Sequence, residues 1–209
     1  MKNKLRGLYV ITNEQLMPAD IFSQMAEAAL AGGATVLQYR DKSDDAKKRL
    51  KQAENLKALC LKYNATFIIN DDLSLAKQVN ADGIHLGKSD LIYEKAREKL
   101  GPDKIIGISC YNQLSIARDA IKQGADYIAF GRFFNSSIKP EAPVASLDLI
   151  TEIKKTSDIP VCCIGGINVD NYKPLLTSGA DMLAVISDVF SNPDSRQINY
   201  QCKQFAEKF

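Results

Sequence analysis

The chain has 209 residues, of which 45% are apolar and 25% charged, with 12 Gly and 7 Pro, values that exclude a disordered, collagen-like or coiled-coil protein. Its 27 basic and 25 acidic residues give a net charge of +2, which offers no electrostatic reason for a nucleic-acid or anionic-membrane partner. No apolar run approaches the roughly 18 residues of a membrane span, and the apolar stretch at 8–11 is too short for the core of a signal peptide, so a cytoplasmic protein is expected.

In chain order, β-rich runs fall at 8–12, 35–39, 67–70, 83–86, 105–109, 127–130, 161–164 and 183–186. Between them lie amphipathic stretches, among them 19–31, 44–62 and 113–123, with apolar residues at steps of three and four. A last helix is expected from about residue 195 to the end. Strands alternating with helices imply a parallel sheet with crossover connections. Eight such units predict a single (β/α)8 TIM barrel over 1–209, one domain. An internal echo supports the count. Gly32-Gly33-Ala34-Thr35, Asn80-Ala81-Asp82-Gly83, Gly124-Ala125-Asp126-Tyr127 and Gly179-Ala180-Asp181-Met182 precede the second, fourth, sixth and eighth strands. In each, Gly or Asn supplies the left-handed residue that ends a helix.

The five cysteines, Cys60, Cys110, Cys162, Cys163 and Cys202, show no C-x-x-C spacing. They fit neither a disulfide framework nor a zinc site and read as buried structural thiols. Cys162 and Cys163 are adjacent on a strand, so they point to opposite faces. His85, the sole histidine, lies in an apolar segment and reads as a packed or backbone-bonded ring.

A barrel of this class keeps its active site at the carboxyl ends of its strands. Those ends carry Thr12, then Gln38, Arg40 and Lys42, then Asn70 and Asp71, with Asp90 just after the fourth strand. Ser109, the loop from Gly131 to Lys139, Gly165-Gly166 and Ser187-Asp188 follow. Asp71 and Asp90 each precede a helical pattern and serve either as N-caps or as carboxylates facing one ion. Magnesium takes one or two carboxylates and completes its shell with water and phosphate oxygens. Arg40 and Lys42 share one side of an extended segment, either as a solvated strand end or as anion ligands. Gly165-Gly166 and Ser187 lie on the loops after strands seven and eight, where barrels bind phosphate. A tight structural turn is the other reading of the two glycines. A second anion site is offered by Arg132, Asn135, Ser136, Ser137 and Lys139. The residues alone point to a magnesium-dependent enzyme of phosphorylated small molecules.

The strand-end segments Leu37-Gln38-Tyr39-Arg40-Asp41-Lys42, Ile69-Asn70-Asp71, Gly83-Ile84-His85-Leu86-Gly87, Ile106-Gly107-Ile108-Ser109, Gly131 through Lys139 and Ile164-Gly165-Gly166-Ile167 occur in register. In these the chain resembles the thiamin-phosphate synthase (thiamin-phosphate pyrophosphorylase) family over essentially its whole length. The resemblance implies condensation of 4-amino-2-methyl-5-(diphosphooxymethyl)pyrimidine with 4-methyl-5-(2-phosphoethyl)thiazole, or its carboxylated form, to give thiamin phosphate and pyrophosphate. It further implies that Gln38, Tyr39, Arg40, Asp41, Lys42, Asn70, Ser109 and Lys139 hold the pyrimidine diphosphate. Asp71 and Asp90 would bind Mg2+, and Ser136, Ser137, Ile138, Gly166, Ile186 and Ser187 would hold the thiazole phosphate. Arg40, Lys42, Ser109 and Lys139 would then be the catalytic set, since a dissociative loss of diphosphate needs its charge neutralised. The attacking thiazole nitrogen carries no proton, so no general base is required. The chain departs from the family at Ile138, where a second threonine is common, and has Asp41 where Glu is common. A related thiazole tautomerase would need only the thiazole subsite and an acid–base histidine, and retention of Asp71, Asp90, Ser109 and Lys139 favours the synthase. A non-catalytic phosphate-binding barrel has only Ile138 in its support.

Overall fold

The structure, a computed structural model, describes residues 5–87, 91–135 and 143–209. The strands are β1 (Gly7–Ile11), β2 (Ala34–Tyr39), β3 (Thr66–Asn70), β4 (Gly83–Leu86), β5 (Ile105–Tyr111), β6 (Tyr127–Gly131), β7 (Val161–Ile164) and β8 (Met182–Val185). They close in sequence order into an all-parallel barrel, β8 pairing with β1. This is the (β/α)8 fold expected from the alternation. The helices are α1 (Phe22–Ala31), α2 (Ala46–Lys62), α3 (Leu73–Gln78), α4 (Leu91–Leu100), α5 (Leu114–Gln123), α6 (Asp148–Lys154), α7 (Lys173–Thr177), α8 (Ser187–Phe190) and α9 (Ser195–Ala206). The short α8 is one element more than the alternation shows. A four-residue turn is too brief to display a period of 3.6. Among the described residues, no helix is long and apolar enough to cross a membrane.

Period-two alternation along each strand builds two cores. Tyr9, Ile11, Val36, Ile68, Tyr127, Ala129, Cys162, Met182 and Ala184 fill the barrel interior. Leu8, Val10, Leu37, Phe67, Ile69, Ile128, Phe130, Cys163 and Leu183 point outward beneath the helices. The adjacent thiols therefore do part to opposite faces, and all five cysteines are free and buried. Burial pushes the Cys60, Cys110 and Cys202 thiols up to about 12, leaving them un-ionised and inert.

The internal echo has a structural cause. Gly33, Asn80, Gly124 and Gly179 all sit in the left-handed region, at φ 100°, 50°, 90° and 104°. Two residues later, three of the four modules place an aspartate that clips a strand pair. Asp82 accepts from Phe67 N–H at 2.8 Å, Asp126 from Ile106 N–H at 2.8 Å and Asp181 from Val161 N–H at 2.7 Å. Each also takes a cation from the helix that precedes the clipped strand: Lys57 of α2 at 2.6 Å, Arg97 of α4 at 2.7 Å and Lys154 of α6 at 2.6 Å. In the first module Thr35 takes the place of the acid, and its hydroxyl donates to the Arg6 carbonyl at 2.6 Å. These clips bind the amino ends of the strands, the stability face of such barrels.

Candidate active site

The carboxyl ends of the strands open into a cavity lined from every side of the barrel, including Gln38, Arg40, Lys42, Asn70, Asp71, His85, Ser109, Gly166, Ile186 and Ser187. The run from Gln38 to Lys42 divides by alternation. Gln38, Arg40 and Lys42 line the cavity, whereas Tyr39 and Asp41 turn away from it. The Tyr39 hydroxyl donates to Gln52 Oε1 at 2.9 Å. Asp41 pairs with Lys48 at 2.7 Å and accepts from Ser43 N–H at 2.7 Å. Burial opposes the charge on Asp41, but the bonds from Lys48 and Ser43 outweigh it and hold the carboxyl at about 2. Asp41 thus anchors the loop between the two cavity-facing cations.

Thr12, at the end of β1, steadies the same segment. Its buried hydroxyl accepts from Arg40 N–H at 2.8 Å and donates to the Arg40 carbonyl at 3.2 Å. One side chain from the neighbouring strand thereby fixes the backbone from which Arg40 projects.

Asp71 and Asp72 have separate tasks, and Asp71 is not the cap of the helix. Asp72 is the N-cap of α3, accepting from Leu75 N–H at 2.9 Å, and pairs with Arg49. Asp71 precedes the cap, lies in the left-handed region at φ 57° and lines the cavity. Its Oδ2 accepts from Lys42 Nζ at 3.1 Å and Asn70 Nδ2 at 2.8 Å. A short polar side chain tolerates that backbone conformation locally, and such residues gather at functional sites. Among the described residues, no group of three His, Cys, Asp or Glu side chains gathers to hold a metal.

On the opposite rim, Gly165 and Gly166 both have positive φ, 103° and 66°. A Cβ on Gly166 would overlap the backbone of Phe134 and Asn135, so the two loops meet backbone to backbone there. Asn171 Nδ2 donates to the Gly166 carbonyl at 2.8 Å and so holds the turn. Ile186 is the N-cap of α8 and Ser187 its first residue, both lining the cavity beside Gly166. The next residue, Asp188, is half-buried. Burial pushes its carboxyl up, and it accepts from Gln201 Nε2 at 2.7 Å. Asp90, Ser136, Ser137, Ile138 and Lys139 lie outside the described residues.

Sequence reasoning did not single out Tyr9, Tyr111 or Tyr127. Tyr111 is turned into the cavity by a register shift between Ser109 and Tyr111 and has φ 54°; bulges re-aim side chains in this way. His85 packs, as expected, against a neighbour, stacking on Tyr127, but it also lines the cavity. Its tyrosine partner was foreshadowed only by Gly107, a glycine inside a strand.

A closed parallel barrel with a polar cavity at the strand carboxyl ends, Arg40 and Lys42 on one rim and paired glycines with Arg132 on the other, defines the class: a (β/α)8 barrel protein with its cavity at the usual end. Within that class, the chain belongs to the thiamine monophosphate synthase family, whose model matches residues 8–189. It is 47% identical over 203 residues to the thiamine-phosphate synthase of Marinobacter nauticus, across 97% of this chain and 90% of that one. It is 49% identical over 193 residues to that of Thioalkalivibrio sulfidiphilus, across 91% and 90%. Among solved structures, a thiamine phosphate pyrophosphorylase from Pyrococcus furiosus is similar with a TM-score of 0.86 and 37% identity, covering 99% of this chain and 98% of that one.

Proposed function

We propose that the chain works as a single barrel domain that joins 4-amino-2-methyl-5-(diphosphooxymethyl)pyrimidine to 4-methyl-5-(2-phosphoethyl)thiazole, releasing pyrophosphate and forming thiamin phosphate. Family membership supports the activity. The observation that carries the site assignment is the two-sided cavity: Arg40, Lys42, Asn70 and Asp71 on one side, Gly166 and Ser187 on the other.

The diphosphate belongs with the cations. Arg40 and Lys42 neutralise charge as the leaving group departs, and Asn70 and Ser109 add neutral hydrogen bonds. Lys139 joins this set from the sixth loop. The thiazole phosphate belongs with Gly166 and Ser187, where backbone N–H groups at the turn and at the start of α8 suit an anion. Ser136, Ser137, Ile138 and Ile186 complete that subsite. Gln38, deep in the cavity, meets the pyrimidine ring. Tyr39 and Asp41 contribute by holding the strand end rather than by touching substrate.

Asp71 suits Mg2+: it is a hard oxygen donor at the cavity wall beside Arg40 and Lys42, and among the described residues it is the one carboxylate lining the cavity, fewer than calcium prefers. Asp71, with Asp90, would hold the ion, which supplies charge neutralisation on the diphosphate. With the ion held there, Lys42, which pairs with Asp71 at 3.1 Å, would be free to face the diphosphate.

The test is direct. Purified protein is mixed with both substrates and Mg2+, and product is oxidised to fluorescent thiochrome. Mg2+-dependent signal abolished by chelator is expected; folded protein giving none would refute the assignment.

A further inference from the structure

Beneath the cavity four side chains form one hydrogen-bonded file. Gln38 Nε2 donates to the Tyr9 hydroxyl at 2.7 Å, the Tyr9 and Tyr127 hydroxyls lie 2.8 Å apart, and the Tyr127 hydroxyl lies 2.9 Å from His85 Nδ1. Tyr9, Gln38 and His85 line the cavity, whereas Tyr127 stands behind them, fully buried.

The strand register is built for this file. His85, Gly107 and Tyr127 are successive partners on one rung across β4, β5 and β6. A Cβ at position 107 would fall within the Tyr127 ring. With none there, the ring lies across β5 and stacks on His85, the centroids 5.6 Å apart and the planes 25° from parallel. A tyrosine that only filled the interior would not need its middle neighbour reduced to glycine, and a phenylalanine would fill it without a buried hydroxyl to satisfy.

A proton inventory gives the file a direction. Each phenol has one proton to donate. Gln38 donates into the Tyr9 oxygen, so the Tyr9 proton goes to Tyr127 and the Tyr127 proton to His85 Nδ1. Reversing any single link would set two protons or two lone pairs face to face in a buried site, a costly arrangement. Burial pushes both phenols up from their ordinary range, so each keeps its proton at neutral pH. With the His85 proton on Nε2, so that Nδ1 accepts, the file holds the Gln38 nitrogen toward Tyr9, which leaves the amide oxygen for the cavity.

We infer that Tyr127, given room by Gly107, is a positioning residue that locks the Gln38 amide with its oxygen toward the substrate, so that the site selects an amino over an oxo substituent on the pyrimidine. The inference rests on the proposed function. An exocyclic amine donates to an amide oxygen, whereas an oxo group meets it lone pair to lone pair. Sites built around such a hydrogen bond reject the mismatched analogue strongly. Without the Tyr127 hydroxyl, Tyr9 loses its acceptor and donates to Gln38 instead. The amide then turns over and offers N–H groups to the cavity.

The experiment compares two non-reacting inhibitors, the 4-amino and 4-oxo forms of 2-methylpyrimidin-5-ylmethyl monophosphate, and reads the ratio of their inhibition constants. The wild type is expected to favour the amino form by about 100-fold or more, and Tyr127→Phe to cut that ratio by about tenfold. Gly107→Ala, which displaces the ring, should cut it similarly. Phe130→Leu, a buried change on the outward face of the same strand, should lower the melting temperature and leave the ratio alone. Were Tyr127→Phe not to fold, Tyr9→Phe breaks the adjacent link and is read the same way. A ratio that stays at the wild-type value when the file is broken overturns the inference. Wild-type protein that makes no thiamin phosphate overturns the functional reading beneath it, a separate result.

Discussion

The Lys42 ammonium lies 3.1 Å from the Asp71 carboxylate, and the two side chains are 54% and 50% exposed. An ion pair so open to water contributes only about 0–1 kcal/mol to stability. Its cost to function is another matter, because both groups face the cavity. Asp71→Asn should leave the melting temperature nearly unchanged while lowering thiamin phosphate formation by about 100-fold or more, the scale of losing a strong electrostatic contribution to the transition state. Calorimetry and the thiochrome assay on one preparation check both halves. A large fall in melting temperature would mean that Asp71 is structural.

Thr12 tests whether the Arg40 backbone must be held. Thr12→Val keeps the shape but removes both hydrogen bonds to Arg40 and leaves the Arg40 N–H without its acceptor. The expected outcome is about a tenfold rise in KM for the pyrimidine diphosphate, as for loss of a bond worth roughly 1–3 kcal/mol. KM for the thiazole phosphate should hold. Thr12→Ser, which restores the hydroxyl, should return KM toward the wild-type value.

The aspartate clips predict the opposite division. Asp126→Ala strips the acceptor from the Ile106 N–H and the partner from Arg97. Ile106 is fully buried, so the orphaned amide carries most of the cost, about 2–3 kcal/mol once the partly exposed ion pair is discounted. For a chain of this size that is about 5–10 °C in melting temperature. Activity at 20 °C should stay within about twofold, since the clip lies at the far end of the strands.

Asp41 sets an acid limit. Its carboxyl is held at about 2, below the ordinary 3.8, and the side chain is only 3% exposed. A group whose pKa is lowered on folding stabilises the fold fully above the unfolded value and loses that contribution as pH falls through the folded value. The gap amounts to about 2 kcal/mol. Chemical denaturation of wild type and Asp41→Asn should therefore differ by about that much at pH 6 and converge as pH falls from about 4 to about 2. A difference constant with pH would count against the pair with Lys48.

Most of the architecture is legible in the chain because each strand is a short apolar run closed by a turn signal and each long helix shows its period. Boundaries shift by one to three residues, as at α1, which begins at Phe22, and at β8, which begins at Met182 and hands Ile186 to α8. At the site, the alternation that puts Arg40 and Lys42 on one side also turns Asp41 away, a consequence readable from spacing alone. Asp71 and Asp72 are harder: adjacent acids before a helix do not say which one caps, and only the backbone at φ 57° separates them. The Tyr9–Tyr127 contact joins positions 118 apart in sequence. No local pattern reports a meeting across a barrel, and only the register makes Gly107 a sign of it.

The clips made by Asp82, Asp126 and Asp181 separate what keeps this barrel together from what it does. Each ties an odd strand to the start of the next even one and to the helix that precedes the odd strand, so the stapled ends form a foundation that owes nothing to the mouth. Side chains at the mouth are consequently released from structural duty, and Arg40, Lys42 and Asp71 can be spent on charge that a free-standing surface would have to neutralise. Substitutions at the rim should change what is bound and leave the fold standing, whereas substitutions at the base should loosen the barrel without changing its substrate.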